Sequence, residues 1–234
     1  MSVTTLHLLC AGAAQGLVKA LQARLLAEAD AVLGGRFGAV GAMKEALLDG
    51  EPCDVMVSTD QMIGELVAAG VLRSDHRAPL GRVRTGIAIR RGAPKPDVSI
   101  PEALKAALLA ADAIYFPDAT RSTAGIHFLA VTRELGIHDQ IESRFRTFPN
   151  GAAAMRELAL SAAARPLGCT QLTEIKYIDG VELVAPLPAR FELTTVYTAA
   201  VSAHAAEPAL AARFIAMLAG NEAYALRAAC GFEP

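Results

Sequence analysis

A run rich in hydrogen-bond donors, Pro117-Asp118-Ala119-Thr120-Arg121-Ser122-Thr123-Ala124-Gly125, leads into an apolar stretch, Ile126 to Leu135, that reads as a helix. Such a junction can hold an anion. The first N–H groups of a helix have no partner inside it, and the helix dipole favours negative charge in front of them. Arg121 adds a planar fork that suits two-point contact with a carboxylate, although a solvated loop arginine is an equally open reading. Two further junctions have the same character. Leu6 to Ala11 reads as a buried strand, Gly12-Ala13-Ala14 as a turn with almost no side chain, and Leu17, Leu21, Leu25 and Leu26 then recur at helical spacing. Gly38-Ala39-Val40-Gly41 makes a second small-residue turn before a helix. Around Gly12, Ala13, Val40 and Gly41 a ligand could approach the backbone, though small residues also serve where elements only pack.

Proton chemistry would need a titratable carrier near such junctions. His127 lies one turn beyond the donor loop, Glu174 follows Gln171 closely, and Tyr197 stands in a late strand. No spacing marks any of the three as catalytic, and a structural role stays open for each. His7 falls within the first strand and reads as packed; His76, His138 and His204 read as surface or loop residues.

The elements that must position these residues alternate between strand and helix along the chain, the pattern of an α/β fold. Strands are expected at Thr4–Ala11, Ala31–Phe37, Cys53–Ser58, Arg82–Arg90, Ala113–Phe116, Phe145–Phe148, Pro166–Thr170, Val181–Leu187 and Phe191–Val201. Helices are expected from Leu17, at Met43–Leu48, Gln61–Ala69, Glu102–Ala111, Ile126–Leu135, from Asn150 to about Ala163, at Ala205–Leu218 and at Asn221–Ala229. Thr59-Asp60, Pro101 and Asn150 are suitable helix starters.

Composition excludes several classes. A net charge of -2 over 234 residues, without a basic run, argues against a nucleic-acid partner. The 53% hydrophobic content is inflated by alanine, and no run reaches the roughly 18 apolar residues of a membrane span. Cys10, Cys53, Cys169 and Cys230 are far apart, so buried free thiols are expected rather than a zinc site, and no metal or cofactor is expected. Gly-x-Gly-x-x-Gly, P-loop, His-Glu-x-x-His and Gly-x-Ser-x-Gly motifs are absent. The opening Met1-Ser2-Val3-Thr4-Thr5-Leu6-His7 has no positively charged start, so the chain as written is expected in the cytoplasm, or in the periplasm if a leader has been removed.

In order and spacing, a set of landmarks resembles the molybdate-binding proteins of ABC importers, which have the type II periplasmic-binding-protein fold. They are Cys10-Ala11-Gly12-Ala13-Ala14; Gly50-Glu51-Pro52-Cys53-Asp54 through Ser58-Thr59-Asp60; Asp118 through Thr123-Ala124-Gly125-Ile126; Pro166-Leu167-Gly168 before Gln171; and Cys230-Gly231-Phe232. The resemblance implies two α/β lobes, a mainly parallel sheet in each, and a cleft between them that closes by a hinge. Lobe one would be 1–83 plus 195–234 and lobe two 84–194. It also implies an anion held by helix N-termini, at Gly12-Ala13, Val40-Gly41, Ser122-Thr123-Ala124, Asn150-Gly151 and Thr170-Gln171, with an ABC permease as partner if the protein is exported.

Departures from the family bear on the ligand. Gly12 stands where the family has Ser, Ala39-Val40-Gly41 where it has serines, and Cys169-Thr170-Gln171 where it has a Tyr. Each hydrogen bond lost to a charged ligand is worth about 1.5–3 kcal/mol, so a bare molybdate would be poorly held. An organic polycarboxylate or related oxyanion fits the altered set better. The second reading is a cytoplasmic, cofactor-free isomerase of a small unsaturated carboxylic acid, prompted by the opening without an export signal and the altered cleft. Its precedent is aconitate isomerase, which resembles the same receptors and moves a proton on a tricarboxylate.

Overall fold

The computed structural model describes residues 3–234, so the first two residues of the opening segment lie outside the described residues. The chain folds as two compact units, Met1–Arg82 with Thr195–Pro234, and Val83–Thr194.

The first unit begins with β1 (Thr4–Ala11), a single 3-10 turn at Gly12–Ala14, α1 (Gln15–Ala20), α2 (Gln22–Ala29), β2 (Ala31–Gly38), α3 (Val40–Leu48), β3 (Val55–Thr59) and α4 (Asp60–Ala68). β4 (Leu72–Arg90) runs on into the second unit. That unit continues with α5 (Pro101–Ala110), β5 (Ala113–Pro117), α6 (Thr123–Glu134), the short α7 (His138–Ile141), β6 (Phe145–Phe148), α8 (Gly151–Ala159), β7 (Pro166–Gln171), α9 (Leu172–Tyr177) and β8 (Val181–Pro186). The chain returns to the first unit in β9 (Thr194–Ser202), α10 (Pro208–Ala219) and α11 (Tyr224–Cys230).

In the first unit β1 pairs in parallel with β2 and β3, and β9 runs antiparallel to β3. Asp54 anchors this sheet. Its buried carboxylate accepts the backbone N–H of His7 at 2.8 Å and that of Glu207 at 3.0 Å, tying the entry to β3 to β1 and to the start of α10. In the second unit β5 pairs in parallel with β6 and β7, while β4 lies antiparallel to β7 and β8.

Strand alternation in the second unit sorts residues onto two faces. Ile87, Ile89, Ile114, Phe116, Leu167 and Cys169 point into one core, with Leu104, Leu108, Phe128, Val131 and Ile141 from α5, α6 and α7. Ala88 and Tyr115 point the other way, toward Ala152, Met155 and Leu158 of α8 and Ile175 of α9. Gly168 is small because that second face is crowded: a Cβ there would lie 2.6 Å from Met155 and 2.7 Å from Leu158.

Several element limits differ from expectation for local reasons. α6 begins at Thr123 rather than Ile126: Ser122 is extended and its carbonyl accepts the Ile126 N–H at 2.9 Å, making Thr123, Ala124 and Gly125 the first turn. α8 stops at Ala159 rather than Ala163. The Ser161 carbonyl is taken by Arg90 and its hydroxyl accepts from Tyr115 at 3.0 Å. The first helix breaks at Leu21 into α1 and α2, and Ala189–Phe191 forms a 3-10 turn before β9. β4 extends ten residues ahead of Arg82, through a charged, Pro-containing stretch that carries no alternation signal.

Candidate functional site

β5, β6 and β7 are parallel, so their carboxyl ends lie on one edge of the second unit's sheet. Each strand passes there into a helix: Pro117 toward α6, Phe148 toward α8, and Gln171 directly into α9. In open α/β sheets this edge is where ligands are held.

At α8 the helix start is already filled. Asn150 accepts the Ala153 N–H through its side-chain oxygen at 2.8 Å. The carboxylate of Glu174, fully enclosed, accepts the Ala152 N–H at 3.3 Å and the Thr170 hydroxyl at 2.5 Å. Gly151 is required by this arrangement, since a Cβ there would lie 2.0 Å from both Glu174 Oε2 and Thr170 Oγ1. Burial pushes the Glu174 carboxyl above the usual carboxylate range, against the pull of Thr170 and the backbone amides of Ala152, Gly151 and Gln171. The expected anion position at Asn150-Gly151, with Thr170, is thus occupied by the protein's own carboxyl group.

At α6 the arrangement is open. Ser122 sits in the N-cap position, buried, without accepting any helix N–H through its hydroxyl. No acidic residue stands in the first turn. Gly125 lets the helix start close to the strand end; a Cβ would lie 2.3 Å from the carbonyls of Pro117 and Asp118. Arg121 is engaged within the loop, its guanidinium lying 3.1 Å from Asp118 Oδ2. The Thr120 hydroxyl, the Thr120 and Arg121 amides and this guanidinium hold Asp118 down to about 2. The donor loop is therefore pre-folded around Asp118, with the Arg121 Nε and Nη2 both on its Oδ2 and the Thr120 and Arg121 amides on its Oδ1.

Beside α6, the edge carries buried polar side chains without partners. Gln171 is 2% exposed, and neither its Nε2 nor its Oε1 has a hydrogen bond. Thr85, its register partner across β4 and β7, is fully buried with an unpartnered hydroxyl, and Thr173 on α9, 4% exposed, has an unpartnered hydroxyl as well. Alternation from Leu167 and Cys169, and from Ile89 and Ile87, puts Gln171 and Thr85 on the α6 face of the sheet. Thr85 and Thr173 escaped the sequence reading because isolated threonines carry no motif. Their signal is burial without a partner, which only coordinates reveal.

The first unit has a comparable edge. Gly12 and Ala13 are buried in the turn after β1, and Val40 and Gly41 open α3, whose N-cap Ala39 supplies no side-chain cap. Ser58, at the end of β3, is fully buried with an unpartnered hydroxyl.

The three proton-carrier candidates lie apart in character. Glu174 is the buried carboxyl group at α8. His127 has its Nε2 2.8 Å from the Phe191 carbonyl. Tyr197 is 2% exposed and packs edge-on to Phe232, with ring centroids 6.5 Å apart, in the core of the first unit. Among the described residues, His138, Asp139 and Glu142 bring one ligand atom each within 4.8 Å of one another, on and after the short α7. Cys10, Cys53 and Cys169 are buried free thiols, Cys53 pushed up to about 12 by burial, and Cys230 is partly exposed. A hollow of the second unit, about 260 Å³, lies at the opposite edge, lined by Ile89, Pro94, Ala107 and Leu167, and is mostly apolar.

This architecture is that of the periplasmic binding proteins. The model of the bacterial extracellular solute-binding protein family matches residues 6–233, and the chain belongs to that family. Its fold is similar to that of the Azotobacter vinelandii periplasmic molybdate-binding protein, with a TM-score of 0.78 at 19% identity over 99% of each chain. It is also similar to the sulfate-binding protein of Mycobacterium tuberculosis, at TM-score 0.74 and 18% identity over 99% of this chain and 87% of the other. A curated relative, an aconitate isomerase from a Pseudomonas species, is 29% identical over 194 residues, covering 82% of this chain and 72% of the relative. Among the described residues no helix is long and apolar enough to cross a membrane.

Proposed function

We propose that the protein is a receptor for a small organic acid carrying more than one carboxylate, held at the carboxyl edge of the second unit by the uncapped start of α6. The observation that carries this reading is the contrast between that bare helix start, with buried unpartnered Gln171 and Thr85 on the same face of the sheet, and the α8 start sealed by Glu174. A buried amide without a partner costs about 1–3 kcal/mol, and folded proteins leave few such groups. A bound solute would repay that cost. Similarity to molybdate- and sulfate-binding proteins supports an anion in general. The missing hydroxyls at Gly12 and in the turn Ala39-Val40-Gly41, and the amide of Gln171, favour an organic one.

Calorimetry with a panel of di- and tricarboxylates, run beside molybdate and sulfate, tests the reading. Heat from the organic acids supports it; tight binding of molybdate or sulfate with none from the acids overturns it. A homologous ABC permease remains the partner to expect if the protein is exported.

A second reading, a cofactor-free isomerase of an unsaturated acid, is favoured by the aconitate isomerase relative together with a buried carboxyl group of raised pKa at the same edge. In that reading Glu174, whose carboxyl burial raises above the usual carboxylate range, is the group that takes and returns the proton. Ultraviolet absorbance of cis- and trans-aconitate incubated with the protein decides it: a change blocked by Glu174→Gln supports catalysis, and no change leaves the receptor.

A further inference from the structure

Building on the organic-acid reading, we infer that Gln171 makes the site selective for acids carrying a hydroxyl beside a carboxylate over acids and inorganic anions that offer acceptors alone. An amide is a two-ended group, with N–H donors on one side and a carbonyl acceptor on the other. Both ends of Gln171 are buried and unpartnered, so the missing partner must supply an acceptor and a donor. This holds whichever way the amide is turned, because exchanging O and N leaves one of each unmet. A fully ionised sulfate, molybdate or simple dicarboxylate satisfies Nε2 and sets negative charge against Oε1. A hydroxy acid satisfies both, its carboxylate oxygen accepting from Nε2 and its hydroxyl donating to Oε1.

The neighbouring groups do not blur this selection. The hydroxyl of Thr85, across the register from Gln171 and also buried and unpartnered, can turn to donate or accept, so it adapts to either ligand. The Gln171 amide, by contrast, imposes a direction. Its main chain is fixed at the end of β7, opposite Thr85 and in the N-cap position of α9, so the amide is carried on rigid structure. On the other face, Glu174 and Thr170 are paired with each other and with the α8 start, so they offer the ligand no competing hydroxyl acceptor.

The test uses matched acids differing by one hydroxyl: malate against succinate, and citrate against tricarballylate, with sulfate as the acceptor-only control, each titrated calorimetrically into the intact protein. One directional hydrogen bond predicts a preference of about tenfold for the hydroxy acid in each pair. Gln171→Met, close in shape without donor or acceptor, should bring that ratio near one, and Gln171→Glu should weaken every anion. Thermal unfolding of Gln171→Met, expected at or above the wild-type midpoint, shows that the variant folds. Equal affinity of hydroxy and deoxy acids for the wild-type protein overturns the inference while leaving the organic-acid reading standing. An unchanged ratio in Gln171→Met also overturns it. Binding of sulfate without any organic acid removes the reading beneath it.

Discussion

Two helices rise from the same sheet edge of the second unit and treat their free N–H groups in opposite ways. α8 satisfies its start from within, through Asn150 and the buried Glu174, whereas α6 has neither a side-chain cap nor an acid in its first turn. Helix starts are equivalent anion sites in principle. The difference shows that a protein can spend one on its own carboxylate and keep the other for a guest, and that helix position alone does not reveal which is which.

The sharpest way to break this contrast is to evict Glu174. Gly151→Ala places a methyl group 2.0 Å from its carboxylate and from Thr170, and neither can retreat within a packed interior. A loss of about 3 kcal/mol in unfolding free energy is expected, measured by urea titration. A cost below about 1 kcal/mol would mean that the carboxylate is not wedged there.

A second probe uses charge. The folded protein holds the Glu174 carboxyl above its ordinary value, chiefly by burial, so its contribution to stability is complete at pH below the ordinary carboxylate value. It fades as pH rises through the raised value. Asp118 works the other way: its value of about 2 makes its contribution present above pH 4 and lost as pH falls toward 2. Glu174→Gln should therefore gain on the wild-type protein as pH rises from 4 to 8, followed by unfolding midpoints across that range. A constant difference between the two proteins would remove the buried acid from the account of α8.

Much of this pattern was visible in residue types, and its decisive part was not. The donor loop before α6, the small-residue turns at Gly12 and Val40-Gly41, and Asn150 as a cap all announce themselves through local chemistry. Tertiary pairing leaves no such trace. Glu174 reaches the α8 start across 22 residues of sequence, and on a short helix after a strand it reads like any surface acid. Arg121 looked available because the sequence does not show that Asp118, three residues earlier, takes its guanidinium. The leading part of β4 was hidden for a related reason: Ser74-Asp75-His76-Arg77 is exposed on both sides, so no alternation between wet and dry faces is written into it. Gln171 was found as a departure from a family pattern, but the lack of partners for its amide belongs to the packing around β7 and β4.

Removing one cap from each helix sharpens the comparison with the smallest effects. Asn150→Ala deletes an acceptor that the Ala153 N–H uses, and a loss of about 1 kcal/mol is expected without any ligand present. Ser122→Ala deletes a hydroxyl that caps nothing, so the ligand-free protein should change by less than about 0.5 kcal/mol. With a saturating di- or tricarboxylate the order should reverse. The ligand-induced rise in melting temperature survives in Asn150→Ala, because the α8 start belongs to the protein. It shrinks in Ser122→Ala, because the hydroxyl beside the bare α6 start is then a group the guest has lost. Equal shrinkage in both variants would place the guest at α8 as much as α6, and the division of labour between the two helices would not hold.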